Sequence, residues 1–354
     1  MSESVPIGRF TPRRGRGALS NADSRFLQWR RERDEEADDD MSAPTRIRFE
    51  RVRQIITYNR SPDIPFDRSL NPYRGCEHGC IYCFARPSHA WLGMSPGLDF
   101  ERQLVVKENA VQRLRETLSR PGYRCSPLAL GVNTDAYQPL ERHQRLTRGI
   151  LEVLADFQHP VVVITKGALI ERDLDLLGGM ADRALVRVYL SVTSMDRQLV
   201  AKLEPRAVSV ARRLHLIRRL HERGIPTGVL VAPVIPGLTD DQLERVLYEA
   251  RQAGAGFAGY TMLRLPGEVE ELFVQWLAAH LPQRAAKVMA RIRAVRAGRL
   301  NDGVFGRRMR GEGVEADLIA QRFRLACKRY GYGVPPVLEC SLFRPPSGQL
   351  SLSL

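Results

Sequence analysis

Three cysteines stand close together at spacing C-x3-C-x2-C: Cys76, Cys80 and Cys83, inside the run "SLNPYRGCEHGCIYCFARPSHAW". They are half of the six cysteines in this 354-residue chain. Three thiolates on one short loop point to a metal site, because an odd number cannot pair into disulfides among themselves. The chain opens without an apolar leader, so an oxidising compartment is not expected either. Zinc is one occupant. Structural zinc needs four closed ligands, and Cys125, Cys327 and Cys340 are isolated in sequence, which leaves His78 or His89 to complete the set. An iron-sulfur cluster is the other occupant. Held by three cysteines, it keeps one iron with an open position, and that opening is useful only if something small binds there.

The loop resembles the signature of the radical S-adenosylmethionine (SAM) superfamily. In that family three cysteines at this spacing hold a 4Fe-4S cluster, and the amino and carboxylate groups of SAM chelate the fourth iron. Tyr82, directly before the last cysteine, stands where the family places a ring near the adenine. The flanking "NPYRGC" and "ARPSHAW" are similar to the spore photoproduct lyase-like branch, and the whole chain is similar to a group of uncharacterised bacterial radical SAM proteins. The resemblance spans about residues 55–265. It implies an open (β/α)6 barrel, a 4Fe-4S cluster and SAM as cofactors, and a flavodoxin or ferredoxin-type reductant.

The same resemblance distributes cofactor roles. In "GVNTDAYQP", Asn133, Thr134 and Asp135 fall where the superfamily recognises the SAM amine, and Asp135 is expected to accept from that ammonium. A helix N-cap is the alternative for Asp135. Lys166 in "ITKG" matches a lysine that contacts the SAM carboxylate in the branch, and Ser191 in "YLSVTS" matches a cofactor-contacting serine. One departure limits the carry-over. Where spore photoproduct lyases carry a hydrogen-returning cysteine at the strand end, this chain has Val132 and Asn133, and Cys125 lies upstream on the other side of the strand. Thymine-dimer repair by that route is therefore not expected.

These residues need a frame that brings strand ends together. From Ile47 onward, short β-branched runs alternate with amphipathic helical segments, the mark of a parallel sheet. Expected strands end near Asp135, Thr165, Ser191, Ile235 and Leu263, with a further one over residues 100–107. The fold class is thus α/β, a partial TIM-type (β/α)6 barrel whose right-handed crossovers put every strand's C-terminal end on one rim. Residues 1–45 read as a disordered tail, being Gly/Arg-rich and then a charge run. Residues 46–267 form the barrel with its cluster loop at 76–83, and residues 268–354 form a basic, mostly helical extension. Thr239 or Asp240 is expected to cap the helix that follows.

Substrate candidates follow from the same rim: Tyr137, Gln138, Glu204, Arg206 and Arg264. Glu204 and Arg206 flank a proline in "LEPRA", where a local salt bridge is the plainer account. Arg264 stands beyond a strand end, where a guanidinium can fork onto a phosphate or carboxylate. The formal net charge is +14, and residues 283–354 carry fourteen Lys/Arg against five Asp/Glu. That bias favours a polyanionic partner, DNA or RNA, although an arginine-rich composition with solvated helix faces gives the same number. No run of about 18 apolar residues exists to span a membrane. The reading is a cytoplasmic radical SAM enzyme; its rival is a non-catalytic nucleic-acid-binding protein with a structural zinc or iron-sulfur site.

Overall fold

The computed structural model describes residues 12, 14–22, 25–26 and 44–346. Numbered along the chain, its strands are β1 (Arg46–Glu50), β2 (Ile56–Tyr58), β3 (Arg68–Leu70), β4 (Tyr73–Arg74), β5 (Gln103–Lys107), β6 (Leu128–Leu130), β7 (Val161–Thr165), β8 (Val186–Ser191), β9 (Thr227–Val234) and β10 (Phe257–Met262). The run "VVVIT" of β7 is buried along nearly its whole length, as a strand covered on both faces must be. Around it the order is β10-β9-β8-β7-β6-β3-β2. Six of these strands are parallel neighbours in chain sequence, and β2 runs antiparallel to β3 at one edge. The order ends on β2 and β10, with no rung joining them among the described residues. This is the expected six-strand parallel frame with an open side.

One expected strand belongs elsewhere. Residues 99–102 form a helical turn, and β5 pairs with β1 and β4 in a separate three-stranded sheet. The first parallel strand of the barrel is instead β3, which leads into the cysteine loop. Its three residues are all buried, so local periodicity has nothing to register.

Helices between strands follow their apolar spacing: Leu146–Asp156 buries Ile150, Leu151, Val153 and Leu154 against the sheet. Helix Val210–Glu222 is capped by Ser209, and helix Arg197–Leu203 by Asp196. Thr239 and Asp240 do not cap the next helix. They accept from the backbone N–H groups of Ile235 and Gly237 and so pin the turn after β9.

The extension shares a core with the cysteine loop. Leu272, Phe273, Trp276 and Leu277 of helix Val269–His280 pack in the cluster that holds Cys80, Ile81 and Tyr82. Helix Val314–Tyr330 is tied back by Arg322, which forks onto Glu244 at 2.7 Å from each nitrogen. Most of the segment expected to be a tail, and the end of the extension at 347–354, lie outside the described residues. Residues 17–20, however, are buried against the barrel mouth, which their Gly/Arg-rich composition does not foretell. No helix among the described residues is long and apolar enough to cross a membrane.

Candidate metal centre

After β4 the chain turns through Gly75 (φ 76°) and Gly79 (φ 66°), left-handed positions that suit glycine. A Cβ on Gly75 would also lie 2.8 Å from Phe100 O. The loop is fastened from several elements. The Cys76 N–H donates to Phe100 O at 2.9 Å, and the Ile81 N–H to Leu203 O at 3.1 Å. Gln138 clasps the loop start, accepting from the Glu77 N–H at 2.9 Å and donating to Gly75 O at 3.1 Å. The Arg206 N–H donates to His78 O, and its guanidinium pairs with Glu77 at 3.0 Å. Arg86, fully buried, donates to Cys80 O at 3.0 Å and Gly79 O at 3.2 Å, and pairs with the equally buried Glu101 at 2.5 Å. Glu101 in turn accepts from the N–H groups of Gly17 and Ala18, which lays residues 17–18 across the loop.

Within this frame Cys76 and Cys80 are buried, Cys83 is half-buried, and none is in a disulfide. Burial raises all three thiol pKa values, that of Cys80 to about 12; beyond burial, Cys76 is raised further by Asp135 and then by the other two sulfurs. The three thiols are thus electrostatic neighbours. Among the described residues no three His, Cys, Asp or Glu side chains close on a single ion. Three thiolates are one ligand short of a closed tetrahedral zinc site and match a cluster that takes one thiolate on each of three irons. His78 Nδ1 lies 3.4 Å from Asp135, and His89 Nε2 is 2.9 Å from Gln103 O with its ring against Phe100.

Asp135 is saturated. One carboxylate oxygen accepts from Thr165 Oγ1 at 2.6 Å and the Tyr137 N–H at 2.8 Å. The other accepts from the Lys166 N–H at 2.7 Å and faces His78. Burial opposes the charge, yet His78 and these donors hold the carboxyl near a pKa of about 2. Its geometry is that of a strut between the strand ends and the cysteine loop, not of an acceptor left open for an ammonium. Thr134 is likewise occupied, donating to Tyr73 O at 3.0 Å. Asn133 stays half-exposed on the rim, and Ser191 is buried at the end of β8.

A second buried network fixes Tyr82. Its hydroxyl donates to Glu204 and lies 3.2 Å from Thr193 Oγ1; Thr193 also donates to Glu204 at 2.6 Å, and Arg213 pairs with the same carboxylate. Lys166 Nζ stands 5.9 Å from the Tyr82 ring centre. Burial lowers the Lys166 pKa, but Glu204 and then Cys80 outweigh it, so the ammonium stays charged.

Four of the five expected substrate residues are therefore reassigned. Gln138 and Arg206 hold the loop, Glu204 holds Tyr82 and Arg213, and Tyr137 is buried with its hydroxyl on Asp173 at 3.1 Å. Each looked available because its partners lie at least 9 residues away, the farthest being Glu77 from Arg206. Arg264 alone remains open, at the end of β10. Its guanidinium sits 5.3 Å from the centre of the Phe84 ring, and Phe84 directly follows Cys83. Sequence reasoning missed Arg86, Glu101 and Arg213. Arg213 looks like one more arginine on a solvated helix face, and only the fold buries it.

Comparison with known proteins identifies the family. A family model described as the Radical SAM superfamily matches residues 70–249. An uncharacterized protein of Mycobacterium tuberculosis is 38% identical over 246 residues, 68% of this chain and 72% of that protein. An uncharacterized protein of Methanocaldococcus jannaschii is 28% identical over 214 residues, 60% of this chain and 76% of its own length. Among solved structures, spore photoproduct lyase complexed with dinucleoside spore photoproduct superposes with a TM-score of 0.56 over 81% of this chain and 80% of that one, at 15% identity. A double mutant of the lyase with bound AdoMet and the dinucleoside gives 0.54 at 14% identity. At such identity the likeness is one of fold.

Proposed function

Because this chain belongs to the radical SAM superfamily, we propose that Cys76, Cys80 and Cys83 hold a 4Fe-4S cluster whose fourth iron is left for SAM. When bound, the pair supplies reductive cleavage of the sulfonium C–S bond, giving methionine and a 5'-deoxyadenosyl radical that takes a hydrogen atom from the substrate, the electron coming from a flavodoxin or ferredoxin-type reductant. The chain's own residues orient and shield. Lys166 offers a charged ammonium to the SAM carboxylate, and Asn133 and Ser191 offer polar groups at neighbouring strand ends. Tyr82, pinned by Glu204, presents its ring to the adenine. Asp135 holds His78 and the Lys166 backbone in place. Leu199, Leu203, Leu263 and Leu265 pack around Cys80 and Tyr82 and keep water from the reacting centre.

The observation that carries this reading is a loop of three free thiols within eight residues, following the first strand of a six-strand parallel frame. The substrate class we favour is nucleic acid, supported by the net charge of +14 and its concentration in the extension. Anaerobic reconstitution with iron and sulfide tests the reading. The expected result is a brown protein that forms 5'-deoxyadenosine from SAM after reduction, with the visible absorbance lost in Cys80→Ala. A colourless protein holding one zinc and indifferent to SAM overturns it in favour of a non-catalytic nucleic-acid binder.

A further inference from the structure

Beyond the cysteine loop, the end of β10 carries two arginines, one half-buried and one buried, that have no ion-paired carboxylate among the described residues. Arg296 is 1% exposed and donates to two carbonyls, Leu263 O at 2.5 Å and Arg307 O at 2.9 Å. Those carbonyls belong to the residues just before Arg264 and Arg308, so Arg296 staples these two arginines side by side. The Nε atoms of both Arg264 and Arg296 are buried with no hydrogen-bond partner among the described residues. Among the described residues the hydrogen-bond contact of the Arg264 head is Met309 Sδ at 3.7 Å, a weak acceptor. Arg308 is compensated, forking onto Asp63 at 2.6 and 2.7 Å. Arg264 and Arg296 have no carboxylate at ion-pair distance among the described residues. Burial and then the charge of Arg308 lower the Arg264 pKa against a smaller opposing pull from Asp63; burial lowers that of Arg296 to about 10, opposed by Asp302 and reinforced by Arg264.

A half-buried guanidinium such as that of Arg264, with a buried Nε that finds no acceptor and no ion-paired carboxylate among the described residues, is costly, because its desolvation is only partly repaid. Such an arrangement is stable in company with an anion. Guanidinium forks match phosphate and carboxylate alike, and the surroundings distinguish them. Phe84, 45% exposed, presents a ring beside the Arg264 head, and exposed Arg310 continues the positive surface, whereas Arg307 is paired with Asp302 and Glu312. An anion, a planar face and a cationic track side by side describe a nucleotide unit of a longer strand.

We propose that Arg264 and the ring of Phe84 are the anchor for one nucleotide of a nucleic-acid strand, its phosphate on the Arg264 fork in the field of Arg296 and Arg308, its base on Phe84, next to Cys83. This deepens the reading given above and rests on it for the chemistry that follows binding. A base laid on Phe84 must leave its stack, so single strands bind in preference to duplex.

The test uses the full, cluster-loaded chain under anaerobic conditions with fluorescein-labelled single-stranded DNA and RNA 12-mers, read by anisotropy over a salt series. Arg264→Gln is expected to weaken binding about tenfold and make the salt dependence shallower by about one charge; Phe84→Leu is expected to weaken it about tenfold without changing that slope. Arg183→Gln, on an exposed turn before β8, serves as the charge control, and Arg264→Lys, which keeps the charge and loses the fork, covers the case in which Gln unfolds the site. Wild-type affinity in both the Arg264 and Phe84 variants, an equal loss in Arg183→Gln, or equal competition by poly-glutamate overturns the anchor. Failure to bind either oligonucleotide in a chain that cleaves SAM sinks this inference alone. Tight, Arg264-dependent binding by a chain that does not cleave SAM supports the anchor and sinks the preceding reading.

Discussion

Two groups of buried charges border the same rim and are built in opposite ways. Around the cysteine loop the scaffold ions are matched: Arg86 with Glu101, Arg213 with Glu204, Asp135 with four donors. At the end of β10, half-buried Arg264 and buried Arg296 have no ion-paired carboxylate among the described residues, and each has an orphaned Nε. The difference separates scaffold from binding surface. A closed network resists movement because removing any member leaves a buried charge unpaired, and that rigidity suits thiolates that must meet a fixed cluster. An incomplete one keeps its remaining affinity for a ligand.

The sharpest way to break this contrast is to open the closed side. Glu204→Ala leaves Arg213 buried and unpaired and frees the Tyr82 hydroxyl, so it is expected to cost about 3–5 kcal/mol in denaturant unfolding and to lower iron retention. A loss below about 1 kcal/mol would mean that the network is not closed as described. Next in size is Asp135. Its folded pKa of about 2 lies below the ordinary carboxylate value near 4, so its contribution is present above pH of about 4 and lost as pH falls toward about 2. Asp135→Asn is expected to lose about 2–3 kcal/mol at pH 7 and to flatten that acid limb, as measured by unfolding across pH. If the limb is unchanged, another carboxylate owns it.

A smaller effect probes how far the closed side reaches. A Cβ at Gly17 would lie 1.8 Å from Gly79 O, so Gly17→Ala is expected to lift residues 14–22 from the loop. Faster proteolysis within that segment, with a global loss of about 1–2 kcal/mol, is the expected outcome. The smallest is Arg206→Gln. Its guanidinium pairs with Glu77 while half-exposed, and its backbone N–H still binds His78 O, so the expected cost is about 0.5 kcal/mol. A loss as large as that of Glu204→Ala would place Arg206 inside the scaffold proper.

Much of this was legible in the sequence. The alternation after Ile47 identifies a parallel frame, because a covered strand such as "VVVIT" and an amphipathic helix such as that holding Ile150 and Leu154 write their burial into local spacing. The strand ends at Thr165 and Ser191 fall where the pattern places them. The strand-like run over residues 100–107 does not say which sheet it joins, because a buried strand reads the same in either; the structure pairs residues 103–107 with β1 and β4. For the site, the cysteine spacing was sufficient, since three ligands within eight residues are bound to lie together whatever the fold.

What the sequence by itself determined is therefore short-range: the cysteine triplet, the helix and strand periods, and the excess of positive charge. Only the tertiary structure decided which polar rim residues are already engaged. Glu204 meets Tyr82 across 122 positions, and Gln138 meets Glu77 across 61. Whether a carboxylate or guanidinium is spent or available depends on what the folded chain sets opposite it, and no local pattern encodes that partner.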